Sequence, residues 1–157
     1  MNIFVLDYDP GRAARMQCDK HVVKMPLETA QLLCSAFEKG RAPYKRTHYN
    51  HPCSIWTRIS EKNFEWLVEH GLALCDEYTF RYGKVHKSRN VINWCSKNQS
   101  ELEFKSIKKT PFTLCFDKQY QIGNAVKSYR RYYQAEKQEI AKWMKNRAQP
   151  KWFSVPF

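Results

Sequence analysis

The sequence predicts a mainly α, single-domain helical bundle over residues 1–157, built around a central buried helix, with a short extended segment at the N-terminus. Three observations carry this reading. Asp19–Phe37, Ser60–Tyr82 and Ala125–Asn146 each place apolar residues at intervals of three and four. Residues with helix-boundary preferences flank them, namely Asp9-Pro10, Gly40, Ser60 and Gly83. The chain of 157 residues is 43% hydrophobic and 15% aromatic, long and apolar enough for one proper core.

Met1–Asp7, MNIFVLD, is a short apolar run, a strand or extended segment that tucks the N-terminus into the fold. A short helix follows from Pro10 to about Cys18, with Asp9 as N-cap and Pro10 at the first helical position. The central helix, Asp19–Phe37, ends before Gly40. Arg41–Trp56 contains Pro43 and Pro52, which forbid a continuous helix, and reads as a loop. A long helix runs from Ser60 to Tyr82 and stops at Gly83. Asn90–Cys95 begin a further short helix. Gln99–Asn124 lacks periodicity and reads as an extended loop with a buried patch at Phe112, Leu114 and Phe116. Ala125–Asn146 is the last helix, with Val126, Tyr129, Tyr133, Ile140 and Trp143 or Met144 turned inward. The aromatic tail, RAQPKWFSVPF, packs back on the body.

In the central helix, His21, Lys24, Glu28, Gln31 and Ser35 step by three and four and so share one stripe. Almost every other position is apolar or small, so the helix is expected to be buried nearly all round, with this stripe facing a wet cleft. A base, a cation, a carboxylate and an amide side by side have the composition of an active-site wall. The plainer alternative is the solvated face of an amphipathic core helix. Pro26 removes a backbone hydrogen bond beside Glu28 and predicts a kink there.

Net charge is +12, with 27 Lys plus Arg against 15 Asp plus Glu, which points to a polyanion, nucleic acid above all, as partner. The loop 41–56 gathers Lys45, Arg46, His48, Asn50 and His51. The exit of the long helix gathers Arg81, Lys84, His86 and Lys87, and part of that cluster also offsets the helix dipole. The last helix interleaves basic residues with Tyr and Trp, as phosphate contact and base stacking require. Six widely spaced cysteines without a C-x-x-C pair read as reduced, with Cys34 and Cys75 in the core. His48, His51 and Cys53 have metal-binding side chains, but a structural zinc site takes four ligands and the paired spacing is missing. No metal and no cofactor are expected. No run is long enough to span a bilayer and the first residues lack the pattern of a leader, so no membrane association is expected and the cytoplasm is the expected location. No phosphate-binding loop, dinucleotide fingerprint, nucleophile elbow or zinc-deaminase signature occurs.

In order of parts the chain resembles the pyrimidine-dimer DNA glycosylases of bacteriophages and bacteria, the endonuclease V type. The resemblance rests on the N-terminal segment, the central-helix carboxylate Glu28, Asn50-His51-Pro52, Arg81-Tyr82-Gly83 and the closing Gln149–Phe153. MNIFVLDYDP, CDKHVVKMPLETAQLL and THYNHPCSIW also look like stretches of small phage-encoded proteins, which would place the protein in a host cytoplasm. The resemblance implies DNA glycosylase chemistry with abasic-site lyase activity on damaged or modified pyrimidines. An amine attacks the sugar C1′ and forms a Schiff base, and a glutamate, here Glu28, moves protons. The family uses an α-amine, whose reference pKa of roughly 7.7–8.0 leaves more of it neutral than a lysine. Asn2 after Met1 is a poor context for Met removal, so either the amine is that of Met1, or of Lys24 or Lys20, or the lyase chemistry is absent. Lys24 and His21 complete the candidate catalytic set. Lys24 either holds Glu28 ionised or binds phosphate. Arg12, Arg15, His21, Lys45, Arg46, His48 and Lys84 would grip the backbone of duplex DNA around a flipped lesion. Two other readings remain: a non-catalytic nucleic-acid-binding protein, and an enzyme acting on a modified base or nucleotide through His48, His51, His86 and Glu28.

Overall fold

One long helix, α4 (Glu61–Tyr82), is the platform on which the others lie. The Ser60 side chain caps it, accepting from the Asn63 N–H at 3.4 Å, and Gly83 ends it in the left-handed conformation at φ 68°. In this computed structural model, which describes residues 1–156, helices α1 (Pro10–Met16), α2 (Asp19–Cys34), α3 (Pro52–Ile59) and α5 (Ser88–Lys97) all pack on α4. Helix α6 (Ala125–Glu136) packs against the chain's last turn. Single 3-10 turns occur at Gln99–Glu101, Lys118–Tyr120 and Lys151–Ser154. No strand is present among the described residues, and the one β-type contact is an isolated parallel bridge between Ser60 and Ser106. The architecture is mainly α, as predicted. Phe157 of the predicted packed tail lies outside the described residues.

Close approach of helices depends on Gly71 in the middle of α4. A Cβ there would stand 2.8 Å from Thr29 Cγ2 on α2 and 2.9 Å from Ile92 Cδ1 on α5. Glycine is a poor helix former, so its presence marks contact that a larger side chain would push apart.

Several boundaries differ from the sequence reading, each for a local reason. Helix α1 stops at Met16, and Gln17 turns inward, fully buried. Helix α2 ends at Cys34, where the Ser35 hydroxyl donates to the Leu32 carbonyl at 2.6 Å. The supposed loop 41–56 is helical from Pro52, because His51 acts as N-cap through its ring nitrogen and Pro52 suits the first helical position. Helix α6 ends at Glu136, ten residues before the expected Asn146. Residues 141–147 cross instead to the start of α2. There the Asp19 N–H donates to Lys142 O at 2.8 Å, and the Met144 N–H to Asp19 Oδ2 at 2.7 Å. These contacts replace the hydrogen bonds that further helix would have made.

Helix α2 is also less buried than its sequence suggests. Val23 and Leu27 are each 42% exposed and share an outer face with Lys20 and Lys24. The polar stripe is divided: His21 and Ser35 are buried, while Glu28 and Gln31 are half-buried. Pro26 sits within the helix, as expected. All six cysteines are free thiols.

Candidate active site

The N-terminal segment is buried from Asn2 to Leu6 and belongs to no helix or sheet; it turns at Phe4, whose carbonyl accepts from the Leu6 N–H at 2.9 Å. The Asn2 amide fixes it. Its Oδ1 accepts from the Ile3 N–H at 2.8 Å and the Tyr129 hydroxyl at 2.8 Å, and its Nδ2 donates to Cys115 O at 3.2 Å. Phe4 adopts φ 58°, a region that a bulky residue enters only when its surroundings impose it. Those surroundings are aromatic: the ring stacks on His21 at 4.4 Å and meets the edge of Tyr133 at 5.5 Å.

This segment brings the Met1 α-amine to 3.7 Å from Glu28 Oε1, while Lys24 Nζ lies 3.4 Å from Glu28 Oε2. Glu28 is 13% exposed and sits between two cations; Lys24 is largely solvated, so its pairing is weak and the amine is the buried partner. They line a polar pocket of about 190 Å³ together with His21, Phe4, Tyr132, Lys137 and Cys115. Lys137 Nζ lies 5.6 Å from the centre of the Phe4 ring and 5.4 Å from that of Tyr132.

His21 Nδ1 is 2.8 Å from the Tyr133 hydroxyl, which also accepts from the Cys18 N–H at 2.9 Å. The hydroxyl proton is thus directed at Nδ1, and the ring proton belongs on Nε2. Burial pushes the His21 pKa down to about 3, with Lys137 and Lys24 adding repulsion. His21 is therefore a neutral donor in the pocket wall and not a cation that grips phosphate, which corrects that part of the expectation.

The expected DNA contacts divide by location. Arg12 and Arg15 are exposed and line a second, larger cleft of about 450 Å³ with Arg130, Arg147, Lys151 and Trp152. That cleft is cationic and has no carboxylate in its lining, so it offers phosphate contact but no proton acceptor. Lys45, His48 and Asn50 are exposed, and His48 Nδ1 lies 2.8 Å from the Thr47 hydroxyl. Arg46 donates to Phe37 O and stacks 4.1 Å from the centre of the Tyr49 ring. His51 caps α3, and burial first, then the Met1 amine charge and His48, lower its pKa against the opposing pull of Glu28. Lys84 and Lys87 are exposed. His86 braces their turn against α2, with Nε2 2.9 Å from Val23 O and Nδ1 accepting from the Ser88 N–H at 3.1 Å.

Arg81 is the clear correction. It is 4% exposed and donates to Glu77 Oε1 at 2.9 Å, Asp19 Oδ1 at 3.1 Å, Gln17 O at 2.8 Å and Arg15 O at 2.9 Å. All three of its guanidinium nitrogens donate inside the fold, so it ties α1, α2 and α4 together and is not presented to a phosphate.

Sequence reasoning missed Asn2, Phe4, Cys115, Tyr132 and Lys137 as site residues. The first two looked like members of an apolar run. Lys137 looked like mid-helix surface, and only the end of α6 at Glu136 turns it toward the pocket.

The arrangement can hold a reactive amine next to a carboxylate that accepts or returns its proton, with a neutral imidazole and a further ammonium alongside. Against known proteins, a family model described as pyrimidine dimer DNA glycosylase matches residues 1–91. No curated protein and no solved structure matches the chain.

Proposed function

This chain belongs to the pyrimidine dimer DNA glycosylase family, an enzyme family whose substrate is DNA, and we propose that it excises damaged or modified pyrimidines with the Met1 amine as nucleophile and Glu28 as proton acceptor and donor. The observation that carries the assignment of roles is the 3.7 Å approach of the Met1 amine to Glu28 Oε1. The neutral amine attacks C1′ of the target nucleotide. The N–C1′ bond forms as the C1′–base bond breaks, and the base leaves with that electron pair. The sugar ring then opens by breaking C1′–O4′, the nitrogen loses a proton, and an imine results. Glu28 takes the proton from nitrogen and returns it to O4′. The imine makes the C2′ hydrogen acidic, so β-elimination releases the 3′ phosphate and nicks the strand. Water then hydrolyses the imine and restores the amine.

Pocket size supports an extended substrate over a small one. A volume of about 190 Å³ falls below the roughly 300–1,000 Å³ of a small-molecule site. A sugar edge presented by a bent duplex fits that space better than a free nucleotide does. His48, which the nucleotide-enzyme reading needs beside Glu28, does not line the pocket.

Borohydride trapping on undamaged, abasic and cyclobutane-dimer duplexes tests the chemistry. A covalent adduct on the two damaged duplexes, mapped to Met1, is expected. An adduct mapped to Lys24 would move the nucleophile, and tight binding to all three duplexes without any adduct would refute imine formation.

A further inference from the structure

Behind this pocket, sharing only Cys115 with its lining, lies a second constellation that the reaction above does not use. His51, Cys53 and Cys115 each offer a ligand atom, and these atoms all lie within 4.8 Å of one another. No other group of three such side chains occurs among the described residues. The two sulfurs are 3.2 Å apart, although the residues are 62 positions apart in the chain. We propose that His51, Cys53 and Cys115 bind one soft divalent cation of the zinc type, with the fourth coordination position left to solvent.

Geometry is the first support. Zinc–sulfur bonds of about 2.3 Å and zinc–nitrogen bonds of about 2.0–2.1 Å in a tetrahedron put ligand atoms roughly 3.5–3.8 Å apart. The observed spacing thus needs a shift well under the length of a bond. The donor set is the second. Two thiolates and an imidazole suit zinc and not magnesium or calcium. Both sulfurs must ligate as thiolates, so loading releases their protons. The third support is contrast within the chain. Cys34 and Cys95 are also close, 3.6 Å apart, but belong to no such three-residue group.

One existing contact must change. His51 Nδ1 accepts from the Cys53 N–H at 3.0 Å. Ligation through Nε2 moves the ring proton to Nδ1 and gives up that cap in exchange for a metal–nitrogen bond. Once loaded, the ion would cross-link the start of α3 to the segment whose Cys115 carbonyl receives Asn2, and so fix the wall against which Met1 is held. The inference concerns binding and stands whether or not the proposed chemistry does.

The test uses the full chain, reduced, freed of metal by chelator and then titrated with zinc alone and with cobalt(II) alone. One equivalent of zinc retained through dialysis is expected. With cobalt, a thiolate-to-metal charge-transfer band of two-thiolate intensity should appear. Cys115→Ser should halve that band and weaken zinc association beyond the roughly 10–100-fold attributed to outer-shell partners. His51→Asn, which keeps an N-cap side chain, should weaken zinc association while leaving both thiolates on cobalt. Cys34→Ser should change nothing. Zinc should protect Cys53 and Cys115 from alkylation, a readout that needs no variant to fold. No retained zinc, equal alkylation with and without zinc, or loss of binding in Cys34→Ser would each overturn the proposal.

Discussion

Replacing Arg81 with Met separates its structural role from the DNA contact that its place in a basic cluster suggested. Met keeps most of the buried stem and removes the guanidinium. Glu77, 4% exposed, and Asp19, 8% exposed, then lose a buried cation, and the Gln17 and Arg15 carbonyls lose a donor. Removing one partner of a buried ion pair costs about 3–5 kcal/mol. Two contacts moderate this. Arg147 still donates to both Glu77 oxygens at 2.7 and 3.0 Å, and Asp19 Oδ2 keeps the Met144 amide at 2.7 Å. The lower end, about 3 kcal/mol, is therefore expected. With an m-value of about 2 kcal/mol/M the urea midpoint should fall by about 1.5 M. Arg81→Lys, which keeps the charge but not the fork of donors, should fall between. An unchanged midpoint, combined with weaker duplex binding and a salt slope lower by about one, would refute the structural assignment.

Glu28→Gln should lower turnover by about 10²–10⁴-fold while lesion binding survives, read by single-turnover cleavage and gel shift. Retained turnover would remove Glu28 from the mechanism. Lys84→Ala and Lys87→Ala should each lower the salt slope of binding by about one without moving the urea midpoint, the reverse of Arg81→Met. Gly71→Ala should destabilise by about 1–3 kcal/mol in urea despite alanine's better helix propensity, because its Cβ meets Thr29 and Ile92. Acid should unfold the protein through its buried imidazoles. Burial lowers the His70 pKa to about 4 and the His21 pKa to about 3, so below about pH 6.5 the unfolded chain binds more protons than the folded one. Stability should be fully present above that pH and fall as pH drops toward 4, and His70→Phe should flatten the slope by about one proton.

Helix α4 was legible because its apolar period and its caps agree, and helix α2 by its apolar period alone. Ser60 and Gly83 bound α4 where their backbone preferences place them. Glu28 was legible as the carboxylate on the one polar stripe of an otherwise apolar helix. The end of α6 was not, since the residues beyond Glu136 keep a helical pattern. Only the bonds from 142 and 144 to Asp19, more than a hundred positions away, decide against the helix. Arg81 was misread for a related reason. Its neighbours Lys84 and Lys87 are exposed cations, and nothing local distinguishes the one whose partners lie on α1 and α2. The absence of paired cysteine spacing likewise could not reveal that Cys115 lies beside Cys53.

The pocket takes its amine and carboxylate from residues ahead of position 91, where the family model ends, and Cys115, Tyr132 and Lys137 from beyond it. The two stretches also share their supports. Asn2 is held by Tyr129 and Cys115, and Asp19 by the backbone of 142 and 144. The pairing of Met1 with Glu28 therefore cannot be transplanted as an excised fragment, because a chain cut after residue 91 would open the pocket on the side that confines Phe4. The same division leaves Met1 and Glu28 in one stretch and Tyr132 and Lys137 in the other, so under the proposed chemistry substitutions at Tyr132 or Lys137 should alter which substrate is admitted while keeping the Met1–Glu28 pair.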